Sequence, residues 1–289
     1  MSSFSPTDAA LEGIRLTRER PRAILLWSAY YFVFTILLLL IGYLTLGPHA
    51  QEMLAEVKTS SSDPVEAERL IRQTLPFFVL SMPLGLVFLA MLIGGVFRAV
   101  LSAEEPHAGV LRFGPAEWRL AMLIMIAALI VTVALFLSDL AIGIAAAGAS
   151  ALLDILVGLA AVCATAYFFV RLSLAGPATF SEGRLVVFRS WRRTHGQFWP
   201  LLGAYIMAAA LWLVMLFLMT LTSSLLFGLL AWATGWSIEG LEEAASNPPI
   251  FLVAVAWQAV SSLISTTSFV ILLAPAAEAY KSLVASEQA

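Results

Sequence analysis

Two arginine and tryptophan sets with the same spacing are the residues of this chain best suited to chemistry. Arg98 precedes Trp118-Arg119 by the same twenty residues that separate Arg171 from Trp191-Arg192. The chemistry on offer is the gripping of an anionic lipid or substrate, because long basic side chains near helix ends reach lipid phosphate and tryptophan rings favour headgroup depth. Around the second set stand Arg184, Arg189 and Arg193. Together with Trp118, Arg119, Trp191 and Arg192, these arginines are the candidate contacts with lipid or with a partner protein. Arg98 and Arg171 belong with these candidates but read first as topology anchors, with Glu278 able to pair with either.

A second set is neutral. Gln258, Ser261, Ser262, Ser265 and Thr266, with Ser268 beyond them, occupy adjoining helical positions, and Thr220, Thr222, Ser223 and Ser224 stand on a neighbouring run. Such groups hydrogen-bond across helix interfaces or line a hydrated path, and both uses fit the spacing. Other chemistry lacks its residues. His49, His107 and His195 have no second ligand at metal-binding distance, and no G-x-S-x-G, Walker or dinucleotide sequence occurs, so neither a cofactor nor a metal is expected. No ionisable group lies near the middle of an apolar run, as a proton relay would require.

These residues are positioned by six apolar runs, each long enough to cross roughly 30 Å of hydrocarbon as a helix. They span about 23–46, 75–101, 120–140, 152–174, 198–230 and 249–277. With 61% hydrophobic and 12% charged residues, the 289-residue chain is too apolar for water. The predicted fold is therefore an all-α, polytopic membrane helical bundle of six transmembrane helices in three hairpins, with cytoplasmic interfacial helices. Residues 1–22 form a basic N-terminal segment, 23–277 the transmembrane domain, and 278–289 a C-terminal tail.

Thirteen of the sixteen Lys and Arg residues fall in segments that alternate with three poorer in them, an arrangement that places both termini in the cytoplasm. The overall charge of −3 hides this division. Anionic lipids on the cytoplasmic side are accordingly the expected partners, a membrane protein is a second, and nucleic acid is not expected. The single Cys163 excludes an intramolecular disulfide and reads as a small packing residue.

Local signals add detail. Ser60-Ser61-Ser62-Asp63-Pro64, with Glu66, is a capping box that starts a helix at Pro64 and leads into the second span, and 48–58 forms a short helix before it. Ser181 caps a predicted helix from Glu182 to about Thr194, stopped by Gly196, whose Leu185, Phe188 and Trp191 face the inner leaflet. The matching arginine and tryptophan sets suggest an internal repeat offset by 73 residues. Pro83 and Pro275 predict kinks, and the fifth run is longer than one crossing needs.

Ser190 to Leu202, the stretch SWRRTHGQFWPLL, resembles bacterial six-helix inner-membrane proteins related to the membrane domain found beside glycerophosphodiester phosphodiesterases. That resemblance implies a bacterial inner membrane and no catalysis by this domain. The expected function is non-enzymatic, through binding of anionic lipid or a protein partner. The alternative is a small-solute or lipid transporter that uses the polar stripe of the sixth span.

Overall fold

Apolar runs of this length fold as helices because a backbone in hydrocarbon must satisfy its own N–H and C=O groups. The computed structural model describes residues 5–47, 64–102, 111–146, 151–187, 189–234 and 248–288. Its helices are α1 (Pro6–Glu19), α2 (Pro21–Leu46), α3 (Pro64–Leu101), α4 (Pro115–Ala146), α5 (Ala151–Leu172), α6 (Ala175–Glu182), the single turn α7 (Arg189–Arg193), α8 (Phe198–Thr234) and α9 (Pro248–Gln288). Among the described residues, six segments are long and apolar enough to cross a membrane: Pro21–Leu46, Glu68–Leu101, Pro115–Leu137, Ile155–Glu182, Phe198–Leu226 and Val255–Ala285. The chain is an integral membrane protein of all-α, multi-pass architecture.

Consecutive spans pair as three hairpins, α2 with α3, α4 with α5, and α8 with α9. The first and third hairpins join through α9, which packs against α1, α2, α3, α6 and α8, and the second joins the first where α4 packs on α3. The α3 helix starts at Pro64 and passes through Pro76 and Pro83, as the capping signal anticipates, although the cap residues and 48–58 lie outside the described residues. The α9 helix runs on through Pro275 to Gln288, so the segment read as a tail is mostly helical.

The α1 helix is an unforeseen part of the core. Ser5 caps it by accepting a hydrogen bond from the Asp8 N–H at 3.3 Å, and Pro6 occupies the first turn. It ends because Pro21 disfavours helical backbone at the residue before it, and Arg20 has φ −127° and ψ 57°. Ala9, Ala10, Gly13 and Leu16 are buried along one face. A Cβ on Gly13 would stand 2.5 Å from Ile271 Cα, so α1 and α9 meet at backbone contact and only glycine fits.

Burial concentrates at the end of the bundle that holds α1, α6 and α7, here called the arginine end. One cluster gathers Trp27, Leu92, Val96, Phe97, Leu120, Val270 and Ala274. A second joins Val170, Leu174, Ala178, Val186, Leu201 and Tyr280. Away from that end the helices have little protein around them. Residues 162–169 of α5 are all exposed, more than two full turns, so each face of that stretch meets lipid. Cys163 lies there with its side chain exposed, facing lipid rather than packed against a neighbouring helix.

The interfacial helix expected from Glu182 to Thr194 is replaced by different local structure. The helix here is α6, which ends at Gly183 in the left-handed conformation, φ 65°. Beyond it the chain leaves the helix, the buried Val186 donates its N–H to Thr179 Oγ1 at 3.1 Å, and helix resumes only for α7. Ser181, expected as a cap, donates instead to Tyr280 Oη at 2.7 Å. Gly196 does mark a stop, with φ 79°. Leu185 is 40% exposed, whereas Phe188 lies outside the described residues.

Candidate functional site

Two of the candidate arginines sit at equivalent places, each in the last turn of a spanning helix: Arg98 on α3 and Arg171 on α5. A cation there is favoured by the partial negative charge of the helix C-terminus. Neither guanidinium extends along the surface as a snorkelling anchor would, since Arg98 is 3% exposed and Arg171 8%.

Arg98 forms a buried ion pair with Glu117, which is 1% exposed and sits in the first turn of α4. Both charges thus lie at the helix end that favours them. Gly94, one turn before Arg98, makes the room, because a Cβ there would meet Glu117 Oε1 at 3.0 Å and Cγ at 3.1 Å. The Phe180 ring of α6 lies 5.6 Å from Arg98 Cζ. Arg98, read from the sequence as a candidate lipid contact, is thus enclosed, with its charge matched inside the protein. Glu117 is the residue the sequence reading missed, an acid that stands beside Trp118 and between Arg112 and Arg119.

Arg171 is held differently. Its Nη1 donates to Trp191 O at 3.3 Å and to Thr194 Oγ1 at 3.2 Å. The Tyr167 ring lies 5.2 Å and the Trp191 ring 5.8 Å from its Cζ, an aromatic cradle suited to a cation. Ser190 Oγ is 3.0 Å from the carbonyl oxygen of Arg171 and ties α7 to the end of α5. The 73-residue offset sets Arg171 against Arg98, Ser190 against Glu117 and Tyr167 against Gly94. Where the first set has a carboxylate on the guanidinium, the second has Ser190, whose hydroxyl bonds the Arg171 backbone carbonyl instead, and a ring stands in sequence where Gly94 makes room. No described carboxylate forms an ion pair with Arg171. Glu278, on α9, stands near enough to α1 to act on the charges of Glu12 and Arg15.

The remaining candidates are more open. Trp118 is 57% exposed and rests edge-on against Phe113, and Arg119 approaches Gly183 at the end of α6. Arg184 grips Glu182 through Nε at 3.1 Å and Nη2 at 2.9 Å, Arg192 is exposed, and the side chains of Arg189 and Arg193 lie outside those described. In the polar stripe Ser262 and Thr266 are wholly buried, on the face that continues through Val270 and Ala274 into the core. Ser262 donates to Gln258 O at 2.8 Å, and Gln258, Ser261 and Ser265 are half-buried. This is the geometry of helix packing.

No family model, curated protein or solved structure matches the chain.

Proposed function

We propose that this membrane protein works without catalysing a reaction, by holding anionic lipid or a protein partner at its arginine end. In this reading the arginine end faces the cytoplasm of a bacterial inner membrane, with both termini on that side. The kinship suggested by residues 190–202, with bacterial six-helix inner-membrane proteins, belongs to the same proposal. The observation that carries it is the gathering of exposed Arg112, Trp118, Arg184 and Arg192 at one end of six apolar spans. A basic rim at headgroup depth attracts anionic lipid by about 1 kcal/mol per Lys or Arg near the surface.

The test is to neutralise Arg184, Arg189, Arg192 and Arg193 together and to count retained anionic lipids by native mass spectrometry. Fewer retained lipids are expected, and an unchanged count overturns the proposal. The transport alternative finds no support in the stripe, because Ser262 and Thr266 are enclosed by protein.

A further inference from the structure

We infer that Arg171 is the centre of a specific site for one phosphate oxyanion, distinct from the diffuse attraction of the exposed rim. The inference rests on the anion-binding reading above and narrows it to a single guanidinium. Arg171 is 8% exposed and permanently charged, yet the described acceptors around it are neutral: Trp191 O and Thr194 Oγ1. Both take their hydrogen bonds from Nη1. Nε is itself buried and has no partner, and Nη2 donates to no described residue.

The edge left over is chemically particular. Nε and Nη2 form one side of the guanidinium fork, and two parallel N–H bonds from such an edge fit two oxygens of a phosphate. A charge withdrawn from water without a counter-ion is costly, and at Arg98 the protein supplies one in Glu117. At Arg171 the protein supplies the cradle, Tyr167, Trp191 and Thr194, and leaves the anion to come from outside.

Position selects phosphate over other anions. Arg171 ends a membrane-spanning helix, and Trp191 packs edge-on with Phe168 and Tyr167 at 5.6 and 5.8 Å, an aromatic group of the kind found at the bilayer interface. Lipid phosphate is the oxyanion that a bilayer presents at that depth. Free phosphate carries the same chemistry, and exposed Arg192 would draw either toward the site.

The experiment uses the full chain in detergent, with native mass spectrometry of added phosphatidylglycerol, of diacylglycerol with the same chains but no phosphate, and of inorganic phosphate alone. The wild type is expected to keep one phosphatidylglycerol at about 0.5 M salt, where exposed charges are largely screened. Diacylglycerol should not be kept. Arg171→Lys retains the charge but not the fork, and should weaken retention about tenfold with an unchanged melting temperature. If that variant does not fold, Trp191→Ala decides the matter through the same loss of retention.

Competition by inorganic phosphate assigns the site to the free anion, and its failure to compete assigns it to the lipid headgroup. Either result supports an oxyanion site. Wild-type retention by folded Arg171→Lys, wild-type retention by Trp191→Ala, or equal retention of diacylglycerol overturns it. The two readings fail separately. Neutralising Arg184, Arg189, Arg192 and Arg193 should strip the salt-sensitive lipids and leave the one held by Arg171.

Discussion

Arg98 and Arg171 end equivalent helices of two hairpins and are both withdrawn from the surface, but one is matched by a buried carboxylate and the other by neutral acceptors and rings. The difference shows how one local plan yields either a structural fastening or a site. A helix C-terminus, a cation and a polar partner nineteen residues on are common to both, Glu117 at the Arg98 guanidinium and Ser190 at the Arg171 backbone carbonyl. What differs is whether that partner is Glu117 or Ser190. With glutamate the junction is electrically complete, and with serine it keeps a positive charge that an outside anion can meet.

The comparison can be broken by removing a partner from each arginine in turn. Glu117→Gln takes the carboxylate from a buried ion pair, and a loss of about 3 kcal/mol is expected in thermal or denaturant unfolding. Arg98→Gln in the same chain should restore part of that loss, because the buried charge then disappears as well. Thr194→Val removes one of two neutral acceptors from Arg171 Nη1 and should cost about 1 kcal/mol, since Trp191 O remains. Equal losses in the two variants would mean that Glu117 acts on Arg98 as an ordinary polar acceptor, and the contrast would fall.

The smallest expected effect concerns a third charged contact, between α1 and α9. Burial holds the Glu12 carboxyl above its ordinary value of 4.5, and Glu278 and Glu19 push the same way while Arg15 and Lys281 oppose them. A carboxyl with a raised folded-state pKa contributes stability that is fully present below the ordinary value and is lost as pH rises through the raised one. Docking of α1 should therefore tighten modestly from neutral pH toward 4.5, seen as greater amide protection in α1 after correction for intrinsic exchange. Glu12→Gln should flatten that response. A response that persists in Glu12→Gln would assign it to another group.

The six spans and three hairpins are legible in the sequence because length and hydropathy alone decide them in lipid. The repeat is legible too, in the spacing of Arg98 to Trp118 and Arg171 to Trp191. What it cannot give is the direction in which those arginines turn. A long side chain at a helix end reaches a headgroup or folds back with equal ease, and the choice depends on Gly94 and Glu117, which matter only once α3 and α4 are side by side. Gly183 carried a readable stop signal that the three-residue spacing of Leu185 and Phe188 obscured. The burial of α1 was hidden for another reason: its short apolar face, Ala9, Ala10, Gly13 and Leu16, suits a membrane surface as well as a helix groove.

The backbone contact between Gly13 and Ile271 also bears on how the chain is made. At roughly 5–20 residues per second, the roughly 260 residues between them take about 10–50 s to synthesise. During that interval α1 is present without the surface it fits, and its apolar face needs some temporary cover. The bundle is latched only when the last span arrives, so a nascent chain halted before α9 would keep α1 open to a protease that the finished protein resists.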